Sequence, residues 1–347
     1  MILGVESSCD ESSVALLDEV SGKILVEIVA SQVDMHALYG GVVPDLASRA
    51  HLDNFFPVLD QLESAAPGAL NQLSKIVVTR GPGLAGCLAL GMAFAKAIAL
   101  AKRVPLVGVN HLRGHLFSPF IPVWSSNVRE WPERYSERLP HMGLIVSGGN
   151  TILAHIDKAG KVEILAETVD DAAGEALDKG AKLLGMPYPG GPYIEKAASG
   201  GDLRWHPFPV ASKSRNYRRF SFSGLKTSLR YFLEKHSAEE VDTHMADLCA
   251  SYQHAVFQQL LKKMEQIFRE RQNIRSLGLS GGVANNGTLR ALLSDFADRS
   301  KVPLLMAERK HTGDNATMIA FAAIADPSGT VQEDQHDLSF EPAWQLA

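Results

Sequence analysis

Short apolar runs alternate along the chain with longer stretches of helical period, the pattern of an α/β protein with partly parallel sheets. Residues 2–5 are predicted as a strand, 6–12 as a polar turn, 13–17 as the returning strand and 24–30 as a third. A helix follows over about 47–63, then a strand at 76–79, a Gly81-Pro82-Gly83 turn, a long helix at 87–102 and a strand at 106–109. The second half repeats this order. Strands are predicted at 141–146, 151–156 and 162–166, and helical material at 172–184, 193–198, 225–234 and 246–269. A strand at 276–279 then enters Ser280-Gly281-Gly282, followed by a helix at 286–296 and a strand at 303–306. Segments 76–90 and 277–292 thus hold equivalent places in two copies of one plan.

The predicted fold is α/β, with duplicated ribonuclease-H-like lobes of the actin/Hsp70/sugar-kinase (ASKHA) type and a cleft between them. The lobes are expected at 1–118 and 141–312, the second with a helical insertion over about 172–270. The last helix, about 313–326, is expected to pack back near the first lobe. Segment 119–140 carries Pro119, Pro122, Pro132, Trp124, Trp131 and mixed charges, and is read as a surface linker.

A chain of 347 residues has room for two such lobes. Its formal net charge of −5 excludes nucleic-acid binding through overall basicity, so any RNA contact must come from a local patch. Cys9, Cys87 and Cys249 form no CxxC pair, which argues against a disulfide framework or zinc ribbon and for a reducing compartment. The apolar run 1–5 is read as leaving no room for a targeting peptide. Residues 84–101 are nearly charge-free, yet they are rich in alanine, glycine and leucine, include Lys96 and follow a Gly-rich turn. A core helix is expected there, in a soluble cytoplasmic protein.

Small residues at strand ends let backbone N–H groups approach a phosphate. Four such places occur: Ser7-Ser8, 81–86, Ser147-Gly148-Gly149 and Ser280-Gly281-Gly282, the last predicted to open a helix whose dipole favours an anion. The absence of GxxxxGK[ST] excludes the usual P-loop. Asp10 and Glu11 follow the first hairpin turn and are either solvated turn residues or carboxylates that hold an ion or orient an amine. His111 and His115 stand four apart, which on a helix puts both rings on one face within reach of a metal. Asp314, before the last helix, is a candidate third ligand or simply a helix cap. Leu112 replaces the glutamate of HExxH, so a zinc protease is not supported. His36, His51 and His311 show no ligand spacing.

Several segments resemble the universal tRNA threonylcarbamoyltransferase family, bacterial TsaD type, once called sialoglycoproteases. They are Gly4-Val5-Glu6-Ser7-Ser8-Cys9-Asp10-Glu11-Ser12, Gly40-Gly41-Val42-Val43-Pro44, His111-Leu112-Arg113-Gly114-His115 and Val146-Ser147-Gly148-Gly149. Further matches are Asp170-Asp171-Ala172-Ala173-Gly174-Glu175, Tyr188-Pro189-Gly190-Gly191, Phe222-Ser223-Gly224-Leu225-Lys226-Thr227 and Ser280-Gly281-Gly282-Val283. The resemblance implies transfer of threonylcarbamoyl from threonylcarbamoyl-adenylate to N6 of the tRNA adenosine 3′ of the anticodon, forming t6A. It implies a metal on His111, His115 and Asp314, Fe2+ with zinc or magnesium as the alternatives. It places an adenine nucleotide or the donor against Ile145, Val146, Ser147, Gly148, Gly149, Asp178, Gly191 and Asn286, with Asp10 and Glu11 near the reacting groups. The partners it implies are an inactive paralogue and a small ATPase, or a second copy of the chain.

Lys213, Arg215, Arg218 and Arg219, interleaved with Tyr217 and Phe220, form the one dense basic stretch and are either tRNA contacts or a solvated loop. The competing functions are a small-molecule kinase on the same fold and a non-catalytic nucleotide-binding scaffold.

Overall fold

The computed structural model describes residues 1–210, 218–334 and 337–347. Lys213 and Arg215 therefore lie outside the described residues. The chain opens with β1 (Ile2–Glu6), β2 (Glu11–Asp18), β3 (Lys23–Ser31), α1 (Val33–Ala37), α2 (Pro44–Ala65), β4 (Lys75–Gly81), α3 (Ala85–Lys102) and β5 (Leu106–Asn110). β1 pairs antiparallel with β2 and parallel with β4, and all five of its residues are buried. A strand covered on both faces needs an unbroken apolar run rather than alternation, which Ile2 to Val5 supply. β3 pairs only with β2 among the described strands, and its exposure alternates as an edge strand requires.

α3 is long and apolar enough to cross a membrane by length and composition. In this fold one of its faces is buried through Cys87, Leu88, Met92, Ala95 and Ala99, at helical spacing. Met92, Ala95 and Ala99 join Leu3, Val5, Val14, Leu16, Phe55 and Val78 in a single core.

The segment read as a surface linker is instead packed structure. α4 (His111–Phe117) runs through a 3-10 turn into α5 (Ile121–Ser126) and α6 (Trp131–Glu137). Pro122 and Pro132 occupy first turns, where a missing N–H costs nothing, so they start helices rather than mark a loop. Phe120, Ile121 and Trp124 are buried, and Trp131 packs on Phe120, Tyr135 and Phe321.

The second unit, Pro140–Leu305, starts with β6 (His141–Val146), β7 (Thr151–Ile156) and β8 (Val162–Thr168). Next come α7 (Ala173–Leu183), α8 (Gly190–Ala197), β9 (Arg219–Phe220), α9 (Ser223–Leu233), α10 (Ala238–Thr243) and α11 (Met245–Glu270). It closes with β10 (Ser276–Ser280), α12 (Gly287–Ser300) and β11 (Leu304–Met306). Its sheet runs β11-β10-β6-β7-β8-β9, with β6 antiparallel to β7 and parallel to β10. The first sheet has this arrangement too, so the repeated plan is real. One detail differs from expectation: Ser280-Gly281-Gly282 opens a 3-10 turn, Gly282–Asn285, and α12 begins only after its cap, Asn286.

The chain then returns to the first unit as α13 (Ala316–Ala325) and β12 (Thr330–Val331). β12 pairs antiparallel with β5 and completes the order β12-β5-β4-β1-β2-β3. The tail follows the ends of β4 and β5: Glu341 N donates to Arg80 O at 2.7 Å and Gly83 N to Pro342 O at 3.1 Å. Asn110 Nδ2 donates to the carbonyls of Trp344 and Gln345.

α13 crosses β1 at Gly4, where a Cβ would run into the Ala316 carbonyl oxygen. Backbone cannot give way as a flexible side chain can. Gly4→Ala should therefore destabilise the protein by about 1–3 kcal/mol through overpacking, read as a lower midpoint in urea unfolding.

Candidate metal centre and acidic hairpin

Two imidazoles and one carboxylate meet in the first unit. His111 is the first residue of α4 and His115 lies one turn on, with ring centroids 4.8 Å apart and ring planes nearly perpendicular. Asn110 starts this helix by accepting the amides of Leu112 and Arg113 on Oδ1. Its Nδ2 holds the chain's tail, so one side chain joins the tail to the His-bearing helix. Asp314 Oδ1 stands 3.0 Å from His115 Nε2 and 3.5 Å from His111 Nε2. Asp314 does not cap α13. That role belongs to Asn315, whose Oδ1 accepts from Met318 N at 2.8 Å.

The donor set fits a metal ion. Ligand atoms about 2.1 Å from an ion and at right angles to it stand about 3 Å apart, close to the separations here. One ligand atom from each of His111, His115 and Asp314 lies within 4.8 Å of the others. The cluster can thus hold a metal. His111 is oriented for this from behind: its Nδ1 lies 3.2 Å from Glu6 Oε2 and 3.1 Å from Ser8 Oγ, leaving Nε2 toward Asp314. Buried His115 Nδ1 has no hydrogen-bond partner, so among the described residues Asp314 is what holds that ring through a hydrogen bond.

The charges are strongly coupled. Burial alone would lower the His111 pKa, but Asp314 and Glu6 outweigh it and lift the ring to about 9. Burial would likewise raise Glu6, yet the His111 charge and hydrogen bond hold it below the ordinary carboxylate value. Asp314 is brought down to about 2, its burial overcome by the two imidazoles. Glu11 goes the other way. Burial, followed by the charges of Asp314 and Asp10, pushes it up to about 10. Of the two hairpin carboxyls, Glu11 is thus the one its acidic surroundings keep protonated, and a cation at Asp314 would pull it back down.

The hairpin carrying Asp10 and Glu11 is pinned by His51. Its Nε2 donates to Cys9 O at 2.9 Å, and its Nδ1 lies 2.7 Å from Ser12 Oγ. Gln32 N donates to Asp10 O. Neither Glu6 nor His51 was singled out by spacing. An ionisable residue closing an otherwise apolar strand was the available signal for Glu6; His51 had none.

The other sequence-named residues lie in the second unit. Ile145 and Val146 are buried in β6. At Gly148 and Gly149, which follow Ser147, a Cβ would have no atom within 4 Å, so that turn is open. Asp178 Oδ1 accepts the amides of Gly190 and Gly191 at 2.7 and 3.2 Å, which occupies the Gly191 N–H. Buried Asn286 caps α12 through Leu289 N and donates to Gln253 Oε1 at 2.7 Å. Glu195 of α8 accepts Gly287 N, tying the Gly190-Gly191 helix to the start of α12. Arg218 lies 3.7 Å from Glu270, and Arg219 pairs through its backbone with Glu167 in β9.

The family model described as TsaD, tRNA N6-adenosine threonylcarbamoyltransferase, matches residues 23–321. The chain is 42% identical to a tRNA N6-adenosine threonylcarbamoyltransferase of Anaeromyxobacter sp. (strain Fw109-5), over 99% of each chain. It is also 42% identical to one of Trichlorobacter lovleyi, over 96% of this chain and 94% of the relative. Among solved structures, component A of (R)-2-hydroxyglutaryl-CoA dehydratase from Acidaminococcus fermentans superposes with TM-score 0.53 at 14% identity, over 93% of this chain and 98% of that one. Full-length HypF in its phosphate- and nucleotide-bound form gives TM-score 0.59 at 12% identity, over 94% of this chain and 46% of that one. At such identities these two share the fold alone, the duplicated ASKHA type.

A ligating imidazole must be neutral, so a metal entering this cluster displaces the His111 proton. With that ring raised to about 9, affinity should climb about tenfold per pH unit from 7 toward 9 and level off above. Co2+ titrations at several pH values check this, and a flat profile would show that His111 carries no proton for the metal to displace.

Proposed function

The chain belongs to the tRNA N6-adenosine threonylcarbamoyltransferase family, and from that premise we propose how its own residues serve the reaction. The protein is a transferase that forms threonylcarbamoyl on N6 of a tRNA adenosine, so tRNA is its substrate. Relatives of nearly full length that bear this name do not favour the small-molecule kinase or the non-catalytic scaffold. The observation that carries the site is the His111, His115 and Asp314 donor set backed by Glu6. Two histidines and one carboxylate suit non-haem Fe2+, which we assign to it in preference to zinc or magnesium.

The exocyclic amine of adenine is a poor nucleophile because its lone pair is delocalised into the ring. The donor must therefore carry an activated carbonyl with a good leaving group, which threonylcarbamoyl-adenylate provides. Bound iron would supply Lewis acidity to that carbonyl or its phosphate. Asp10, on the hairpin pinned by His51, orients the attacking amine and takes its proton directly or through water. Glu11 serves beside it, in the ionisation state set by the cation. Positioning matters more than basicity for a carboxylate in this role.

The open turn at Gly148 and Gly149, after Ser147, leaves room for the adenylate phosphate beside Ile145 and Val146. Asp178, Gly191 and Asn286 belong to the donor site as shape-holders, since their polar atoms are engaged within the protein. The acceptor is the adenosine 3′ of the anticodon in tRNAs reading codons that begin with A, and Arg218 and Arg219 are candidate phosphate contacts. Leu52 and Phe56 stand exposed on α2, which supports a protein partner: an inactive paralogue with a small ATPase, or a second copy. A tRNA substrate supports a cytoplasmic location.

Mass spectrometry of tRNA nucleosides after incubation with threonine, bicarbonate, ATP and the adenylate-forming enzyme should show t6A. Asp10→Ala combined with Glu11→Ala should reduce its formation at least about a hundredfold, and unchanged transfer would refute their role. Arg218→Glu with Arg219→Glu should weaken tRNA binding and flatten its salt dependence by about two phosphate contacts. Binding that keeps its affinity and slope would return these arginines to ordinary surface.

A further inference from the structure

Asp314 sits on a segment that begins with a buried histidine and ends at the first turn of α13. His311, about 1% exposed, lies three residues before Asp314, and Thr317 three residues after it. Both are reached by one side chain from β3. Glu27 Oε1 accepts the Thr317 amide at 3.1 Å, and Glu27 Oε2 stands 3.3 Å from His311 Nδ1, at ion-pair distance without hydrogen-bond geometry.

We propose that Glu27 is a positioning residue, its carboxylate gripping both ends of the 311–317 segment and so fixing where Asp314 meets the two imidazoles. The inference rests on the metal reading of His111, His115 and Asp314.

The local wiring supports it. Within the segment, Asn315 Nδ2 holds Gly313 O, and Thr312 Oγ1 holds Arg309 O. These bonds shape the segment but do not tie it to the sheet. Ser13 and Glu27 do: Ser13 Oγ accepts Ala316 N at 3.0 Å, beside the Glu27 contact with Thr317. Of the two, only Glu27 also reaches the His311 end. A carboxylate is also well placed electrostatically at the start of α13, where amides without intrahelical partners point outward. Gly313, next to the ligand, has open space where a Cβ would stand and so offers no steric restraint of its own. A ligand carried on such a segment keeps its place through the anchors at either side.

Reach and charge can be separated. Glu27→Asp keeps the charge but is one methylene too short to span both ends. Glu27→Gln keeps the length and an acceptor for Thr317 N–H, but loses the charge. The full chain with either substitution is titrated with Co2+, whose visible absorption reports ligand geometry, and circular dichroism checks the fold. His115→Ala is the control for the site itself. If wild type takes up no Co2+, or His115→Ala binds as well as wild type, the metal reading fails. If wild type binds through His115, Glu27→Asp should bind Co2+ about tenfold more weakly with an altered band, and Glu27→Gln within about threefold with the wild-type band. Wild-type affinity and band in Glu27→Asp would overturn the proposal. So would a Glu27→Gln as weak as Glu27→Asp, because charge rather than reach would then be responsible. Glu27→Ala should be at least as weak as Glu27→Asp, and the two longer variants decide the matter if it does not fold.

Discussion

The first unit depends on a carboxylate that has no access to water. Glu6 ends β1 fully buried, where an unpaired charge would cost several kcal/mol. It is compensated by the Ser8 amide on Oε1, and by the Thr79 hydroxyl and the His111 ring on Oε2. Each bond serves a different element. Ser8 opens the turn that carries Asp10 and Glu11, Thr79 lies on β4, and His111 starts α4. One buried charge thus joins the hairpin, the sheet and the first metal-ligand candidate. Removing it would leave Ser8 Oγ alone to orient His111 Nδ1 and the Ser8 amide without its carboxylate partner.

The balance of charge around it is uneven. Glu6 and Asp314 meet the two imidazoles, His111 and His115, directly. Burial first, and then the charges of Asp314 and Asp10, hold the Glu11 proton up to about 10. A divalent cation on His111, His115 and Asp314 would offset the Asp314 charge. The acidic hairpin and the metal cluster are therefore one electrostatic object: occupancy of one sets the ionisation of the other.

Much of this was legible along the chain. The order of strands and Gly-rich turns showed both sheets, because fully buried strands write themselves as unbroken apolar runs. The His111 and His115 spacing was legible because helical geometry is local. What failed depended on partners distant in sequence. Prolines 122 and 132 looked like linker residues until their positions in first helical turns were known. Asp314 reads along the chain as ligand or cap alike, and only the fold shows that Asn315 takes the cap. The helix at 286–296 is found as α12, but the 3-10 turn Gly282–Asn285 that separates it from the Gly-rich turn has no signal in the sequence. Glu6 shows only as an ionisable residue closing an apolar strand, and His51 and Glu27 carry no local signature. Each acts on a residue tens or hundreds of positions away, which no periodicity records.

The first unit is assembled from both extremities of the polypeptide, whereas the second is one uninterrupted stretch. During synthesis, residues 140–305 leave the ribosome with everything their own sheet needs, while β1 to β5 wait for α13, β12 and the tail. In that interval β1 lacks the helix that covers it at Gly4, and β5 has an unpaired edge. The nascent half-sheet thus keeps an uncovered strand and an open edge until α13 and β12 arrive.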